Sequence, residues 1–304
     1  MIGPRDVSVA IPTYGREGVL VATIESLLAQ DPAELLIVDQ TPRHEPPVEA
    51  TLRQLDDGRR VRWLRLPRPS ITRAMNTALQ RASRPIVLFL DDDIVPGPRL
   101  IQAHSDGYSS SEVWAVAGQV LQPGQEPLDL AGVDIDALGN SFEFPFHSSQ
   151  PALVRGAMAG NLSVRRERAL GAGGFDENFV GVAYRFETEF CRRLCNAGGR
   201  ILFHPAASIR HLKFPSGGTR SYGSHLTSPS PAHGVGDYYF GLRQGVSLSA
   251  AAYILRRPFR EVCTRFHLRH PWWIPVKWVG EMGALLWAVG LALRGPRYAE
   301  MPST

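Results

Sequence analysis

Ile86-Val87-Leu88-Phe89-Leu90-Asp91-Asp92-Asp93 is the stretch on which the reading of this 304-residue chain turns. Five consecutive apolar residues are short for a helix and predict a buried strand. Three adjacent carboxylates at its end are costly, because like charges at close range raise one another's pKa. A divalent cation relieves that repulsion, and oxygen ligands favour Mg²⁺ or Mn²⁺ held together with phosphate oxygens. Taken alone, the triplet is also explained by a solvated acidic turn or a helix cap.

Outward from this strand the chain alternates strand and helix patterns. Val7–Pro12, Leu35–Asp39 and Val61–Leu66 read as further strands. Gly18–Gln30, with Leu20, Ile24, Leu27 and Leu28, and Thr72–Ser83, with Ala74, Ala78 and Ala82, carry helical spacing. Such alternation predicts a mainly parallel sheet wound with helices, whose ligands bind beyond the strands' carboxyl ends. Thr13, Tyr14, Arg16, Asp39 and Asp91–Asp93 stand at those ends. Further on, Gln122–Ser149 is rich in Gly, Pro and acidic residues and reads as loops and short strands. Phe186–Ala197 reads as a helix stopped by Gly198-Gly199. Arg200–Phe203 and Ala207–His211 read as two strands split by Pro205, followed by a Gly- and Ser-rich loop at Lys213–Ser224.

Composition narrows the class. Hydrophobic residues make up 44% and charged residues 20%, which supports a globular core and excludes disorder and collagen. Three scattered cysteines predict a reducing compartment with no disulfide framework or zinc site. No signal-peptide pattern opens the sequence, so a cytoplasmic body is expected. The net charge of +4 is unevenly spread: residues 1–240 carry 24 basic and 26 acidic groups, and residues 241–304 nine and three. No nucleic-acid-binding signature accompanies the basic excess.

In order along the chain, Val9-Ala10-Ile11-Pro12-Thr13-Tyr14-Gly15-Arg16, Leu36-Ile37-Val38-Asp39 and Arg73-Ala74-Met75-Asn76 resemble the family 2 glycosyltransferases. So do Phe89–Asp93, Gly160-Asn161-Leu162-Ser163, Gly174-Phe175-Asp176-Glu177 and the helix from Glu187 to Arg193. The resemblance covers roughly residues 7–212. It implies a GT-A-like α/β fold, with a Rossmann-like nucleotide half over residues 1–120 and an acceptor half over 121–240. A helical tail over 241–304 follows.

The resemblance also implies roles. Pro12, Thr13, Tyr14 and Arg16 would line the nucleotide-sugar site, with Arg73 and Asn76, and Asp39 would accept a hydrogen bond from the base. Asp91 and Asp93 would be the ends of the Asp-x-Asp signature: Asp93 on the metal, Asp91 or Asp92 toward the ribose, and His211 a third metal position. Gly160 and Asn161 would shape the acceptor floor, while Lys213, Arg220 and Tyr222 would clamp the diphosphate from a mobile loop. An inverting transfer needs a carboxylate to take the acceptor hydroxyl's proton. Alignment on Phe190 and Arg193 gives that position to Glu187, although Phe186 replaces the family's Glu. Glu189 is the competing choice, and its position four residues before Arg193 also suits a helix salt bridge. Met75 departs from the family as well, standing where Arg is common.

In the tail, Arg256–His270 holds five arginines, and four of the six tryptophans lie within residues 272–287. Met282–Leu293 is an uncharged apolar stretch, while Lys277 and Glu281 argue against a simple span. This pattern suits peripheral contact with an anionic cytoplasmic membrane surface. Helices packed on the domain, or a homodimer contact, explain it too. The expected activity is a metal-dependent, inverting sugar transfer from a nucleotide-diphosphate donor to a hydroxyl acceptor, with a lipid-linked or polysaccharide acceptor fitting the tail. A sugar-phosphate nucleotidyltransferase and a non-catalytic nucleotide-sugar-binding protein are the alternatives.

Overall fold

The structure, a computed structural model, describes residues 2–140, 144–245 and 247–300. Its first half runs β1 (Val7–Thr13), α1 (Glu17–Leu28), β2 (Glu34–Asp39), α2 (Pro46–Asp57), β3 (Arg62–Arg65), α3 (Ile71–Arg81), β4 (Ile86–Leu90), β5 (Ile94–Pro96), α4 (Leu100–Asp106) and β6 (Val113–Leu121). Then follow α5 (Ile135–Gly139), β7 (Ala152–Val154), β8 (Asn161–Arg165), α6 (Arg166–Gly171), α7 (Phe186–Asn196) and β9 (Arg200–His211). Four helices end the chain: α8 (Val235–Leu242), α9 (Leu248–Val262), α10 (Arg265–Arg269) and α11 (Trp273–Leu293). Helix α2 lies outside the sequence expectation, because only Val48 and Leu52 on it are buried and no long apolar stripe marks it.

The strands form one sheet in the order β3-β2-β1-β4-β8-β6-β9-β5, with β7 also on β9. β1 pairs in parallel with β2 and β4, while β8 runs antiparallel to both β4 and β6. The mixed sheet is covered on both faces, which explains the unbroken apolar run of β4. Period-2 alternation sends Ile86, Leu88 and Leu90 into one core and Val87 and Phe89 into the other. On the second face Phe175 packs edge-on to Phe89 and stacks on Phe190 of α7, with ring centroids 5.6 and 4.1 Å apart.

Pro205 does not split the last strand. β9 runs continuously, and its register on β6 jumps from Gly118↔His204 to Gln119↔Ser208. The intervening residues form a bulge, the place in a sheet where a residue without an N–H is tolerated.

The C-terminal helices pack on the segment that leads into α7. Tyr238, Tyr239 and Phe240 of α8 share a core with Phe179, Ala183 and with Ala284, Ala288 and Leu291 of α11. Lys277 and Glu281 lie within this contact, 2% and 1% exposed. Lys277 Nζ stands 3.1 Å from Glu281 Oε1, and Arg257 Nε donates to Glu281 Oε2 at 3.0 Å. Arg257 and Tyr253 also donate to Asp237, as does Arg260 at 2.9 Å. Buried charge is tolerated only when paired in this way. Helix α11 is long and apolar enough to cross a membrane by length and composition alone. Its two charged residues instead turn inward, onto the domain.

Candidate active site

The carboxyl ends of β1 and β4, the start of α7 and the loop after β9 enclose a cleft of about 380 Å³. Pro12, Thr13, Tyr14, Arg16, Asp91, Asp92, Asp93, Gly160, Glu187, His211, Arg220 and Tyr222 all line it. Sheet register assembles its charged end. β5 pairs antiparallel with β9 so that Ile94 faces His211, which brings the imidazole beside the carboxylate one residue earlier. His211 Nε2 is 3.1 Å from Asp93 Oδ1 and 3.7 Å from Asp91 Oδ2. Its Nδ1 is fixed by Gln122 Oε1 at 3.0 Å. Gln122 has no sequence signal, since it meets His211 only through the fold. The hydrogen bond to Asp93 and the nearby Asp91 charge raise the His211 pKa.

Asp93 is 1% exposed. Desolvation opposes its ionisation, but His211 and the Phe214 N–H, 2.7 Å from Oδ2, outweigh that and hold its pKa below the ordinary value. Asp92 accepts from Thr13 Oγ1 at 2.7 Å, and burial pushes its pKa up to about 7. Arg16 stands between them, with Nε 3.4 Å from Asp92 and Nη1 3.5 Å from Asp93.

The loop after β9 is docked over this end. Gly218 N donates to the Tyr14 carbonyl at 2.7 Å, and Arg16 Nη1 donates to the Phe214 carbonyl at 2.8 Å. Gly217, at φ +73°, leaves no room for a side chain: a Cβ there would stand 2.2 Å from the Gly15 carbonyl oxygen. Only glycine combines that backbone with that approach.

Glu187 lies in the first turn of α7 with its carboxylate in the cleft. Desolvation, with the Asp91 charge adding to it and Arg185 opposing, raises its pKa to about 7. Glu189 points elsewhere: Arg193 Nε and Nη2 bind its two oxygens at 2.7 and 2.8 Å. Arg193 then reaches the Gly174 carbonyl at 2.7 Å, so this pair braces α7 against the Gly173–Glu177 turn.

Five other residues singled out from the sequence stand outside the cleft. Asp39 is 1% exposed, and its oxygens are taken by Thr41 N, Trp63 Nε1 and His44 Nε2 at 2.8, 2.8 and 2.6 Å. Asn76 exchanges two hydrogen bonds with the Phe175 backbone, both at 2.8 Å, tying α3 to the turn. Arg73 lies 3.5 Å from Glu177. Asn161 is fully buried beneath the floor, donating to the Gln119 and Ala207 carbonyls and paired with His104. Lys213 is exposed at the foot of the loop, with φ +52°. Sequence reasoning missed Gln40, Ile71, Met158, Val182 and Thr219, which also line the cleft, beside Phe186. Met75 lines it where the family often has Arg.

The sheet order and the helices around it are GT-A-like. TarS 1-349 from S. aureus in complex with UDP-GlcNAc superposes with a TM-score of 0.61 at 15% identity, over 93% of this chain and 81% of that one. The mannosyltransferase PcManGT from Pyrobaculum calidifontis, in complex with GDP-Man and Mn²⁺, gives 0.55 at 18%, over 97% and 81%. GalNAc-T7 with UDP, GalNAc and Mn²⁺ gives 0.56 at 15%, over 86% of this chain. The chain spans 55% of the GalNAc-T7 chain and 49% of the longer TarS structure. No curated protein matches it in sequence. Residues 8–155 match the family described as Glycosyl transferase family 2. Residues 8–155 therefore form a glycosyltransferase family 2 domain, which supports a glycosyltransferase activity.

Proposed function

We propose that this protein transfers a sugar, with inversion, from a nucleotide-diphosphate donor to a hydroxyl acceptor, aided by Mn²⁺ or Mg²⁺. The observation that carries the reading is the convergence in one cleft of Asp91, Asp93 and His211 with Glu187. The donor atoms of Asp91, Asp93 and His211 lie within 4.8 Å of one another, and a carboxylate–imidazole set fits a divalent ion such as Mn²⁺. Gln122 orients the imidazole, as an outer partner of a ligating His does. When bound there, the cation would neutralise charge on the departing diphosphate.

The chain's own residues supply the rest. Arg16 and Arg220 offer guanidinium groups to the phosphates, and the Gly217–Tyr222 loop excludes water above them. Glu187 removes the acceptor hydroxyl's proton. The new bond from that oxygen to the anomeric carbon forms as the bond to the diphosphate oxygen breaks. The nucleoside diphosphate leaves with the electron pair, and the proton remains on Glu187. A base with a pKa near the working pH is well matched to this step. Asp39, already bonded on both oxygens, is assigned a supporting part in shaping the base end rather than direct contact.

A panel of labelled nucleotide sugars incubated with the full chain and Mn²⁺, with and without chelator, tests the reading. Chelator-sensitive nucleoside diphosphate release is the expected result. Release indifferent to chelator overturns the metal assignment, and a retained anomeric configuration overturns inversion.

Gly160 gives a more selective check. A Cβ there would stand 2.0 Å from Asp91 Oδ2, so Gly160→Ala must swing that carboxylate aside. Mn²⁺ affinity by calorimetry should fall roughly ten- to a hundred-fold, the range for a disturbed outer shell, while Tm changes little. Unaltered Mn²⁺ binding would remove Asp91 from the metal set.

We further propose that the enzyme works at the cytoplasmic surface of an anionic membrane. Leu268, Trp272, Val279, Leu286 and Leu293 are exposed on α10, α11 and the turn between them, and Arg256, Arg265, Arg269 and Arg294 are exposed on the same helices or on α9. Apolar side chains rimmed by arginine suit the headgroup layer. Co-sedimentation with vesicles containing anionic lipid, weakened by Leu286→Glu and by salt, is expected. Equal sedimentation of Leu286→Glu would overturn this placement.

A further inference from the structure

Beside the cleft, a second cavity of about 550 Å³ opens between the Gly217–Tyr222 loop, the segment before α7, and the helices α9 and α11. Val182, Thr219 and Arg220 line both spaces, so the two share a wall, and Glu187 lines the first. The nucleotide end, marked by Pro12, Gln40, Pro69 and Met75, lines only the first.

Arg220, Arg257, Arg260 and Lys277 give the second cavity cationic walls, against one lining carboxylate, Glu261. His225 and His233 line it too, and desolvation with the Lys277 charge lowers the His233 pKa, so that ring is a neutral donor. Part of the cationic charge is already matched by Asp237 and Glu281 behind the wall. With Arg185 counted and Arg220 left to the donor cleft, four permanent cations face three carboxylates, Asp237, Glu261 and Glu281, leaving a surplus of one. Arg260 keeps 49% of its side chain exposed, and His225 is exposed as well. A half-open surplus of guanidinium charge, with imidazole donors beside it, favours an anion with several acceptor oxygens.

From this arrangement we infer that the cavity binds a phosphate group carried by the acceptor. This deepens the proposed transfer and rests on it: an acceptor anchored there presents its reactive hydroxyl toward Glu187, on the side of the cleft away from the nucleotide. Two sources share that chemistry, a soluble sugar phosphate and a lipid phosphate. Leu255 and Phe259, 68% and 59% exposed on α9 next in sequence to Arg256 and to Arg260, which lines the cavity, give that helix apolar surface for a hydrocarbon chain.

Direct binding to the full chain tests the inference, with UDP plus Mn²⁺ as the probe of the donor site. Farnesyl phosphate and glucose 1-phosphate, both without metal, probe the cavity. Arg260→Gln and His225→Ala should each weaken a phosphate probe roughly tenfold, the effect of losing one charge-assisted hydrogen bond, and leave UDP–Mn²⁺ binding unchanged. Asp93→Ala should do the reverse. Farnesyl phosphate following this pattern identifies a lipid-borne phosphate; glucose 1-phosphate alone following it identifies a soluble one. Phosphate binding that survives both Arg260→Gln and His225→Ala, or that disappears with Asp93→Ala, overturns the cavity. Should Arg260→Gln lose UDP–Mn²⁺ binding through misfolding, His225→Ala on the exposed loop decides alone. Failure of UDP or any other nucleoside diphosphate to bind the native chain with Mn²⁺ tells against the donor reading and leaves the cavity result standing.

Discussion

Glu187→Gln should leave nucleotide-sugar binding intact and lower kcat by roughly a hundred- to ten-thousand-fold, the usual contribution of a positioned general base. The amide keeps the side chain's shape and loses only its ability to take the acceptor proton. The carboxyl's pKa is pushed up to about 7 by desolvation in the cleft, so the native enzyme has its own signature. A base acts in its deprotonated form. The rate therefore rises with pH below about 7 and levels above it, and that acidic limb should vanish from the residual activity of the variant. Glu189→Gln should behave differently: it breaks the bidentate pair with Arg193, lowering Tm and leaving the pH profile unmoved. Near-native turnover by Glu187→Gln, with the acidic limb preserved, would eliminate Glu187 as the base.

Asp93→Ala should abolish metal-dependent turnover, with a loss of at least about a thousandfold, the scale on which oriented charge acts on a departing anion. Its effect is compound. Asp93 holds the His211 imidazole and the Phe214 amide at once, so its removal also unpins the loop above the charged end of the cleft. The thermal stabilisation by a nucleoside diphosphate with Mn²⁺ should disappear, because only ligand bound to the native state raises Tm. A Mn²⁺ ion held as proposed would have to displace the proton that Asp93 helps His211 to hold, so Mn²⁺ affinity is expected to rise with pH through the elevated His211 pKa. A variant that retained Mn²⁺-dependent stabilisation would move the metal elsewhere. One that retained full turnover would leave the cleft without its main electrostatic component.

The residues legible before the fold was known share a physical property: their signal lies within a few neighbours. Thr13, Arg16, Asp91 and Asp93 follow buried strands, and residues just past a strand's carboxyl end emerge at the ligand edge of a wound sheet. His211 was legible as a residue type at a strand end, but the pairing of Ile94 with His211 supplies its distance to Asp93. Asp39, Asn76 and Asn161 looked alike as polar residues in motifs. Their partners are His44 and Trp63, Phe175, and Gln119 with Ala207, and the asparagines' partners lie 42 or more residues away in the chain. Hydrogen bonds across such separations leave no local pattern, so a buried polar brace and a ligand contact read the same.

The sequence by itself determined the wound sheet, the acidic edge at Asp91–Asp93 and the resemblance to a family, because apolar period and strand-end chemistry are local. Tertiary structure alone decided that Glu187 faces the cleft while Glu189 binds Arg193. It also decided that Pro205 is absorbed in a bulge, and that Lys277 and Glu281 turn inward to Arg257. Each of those outcomes depends on which distant partner satisfies a buried charge or backbone group, and only the folded chain brings the partners together.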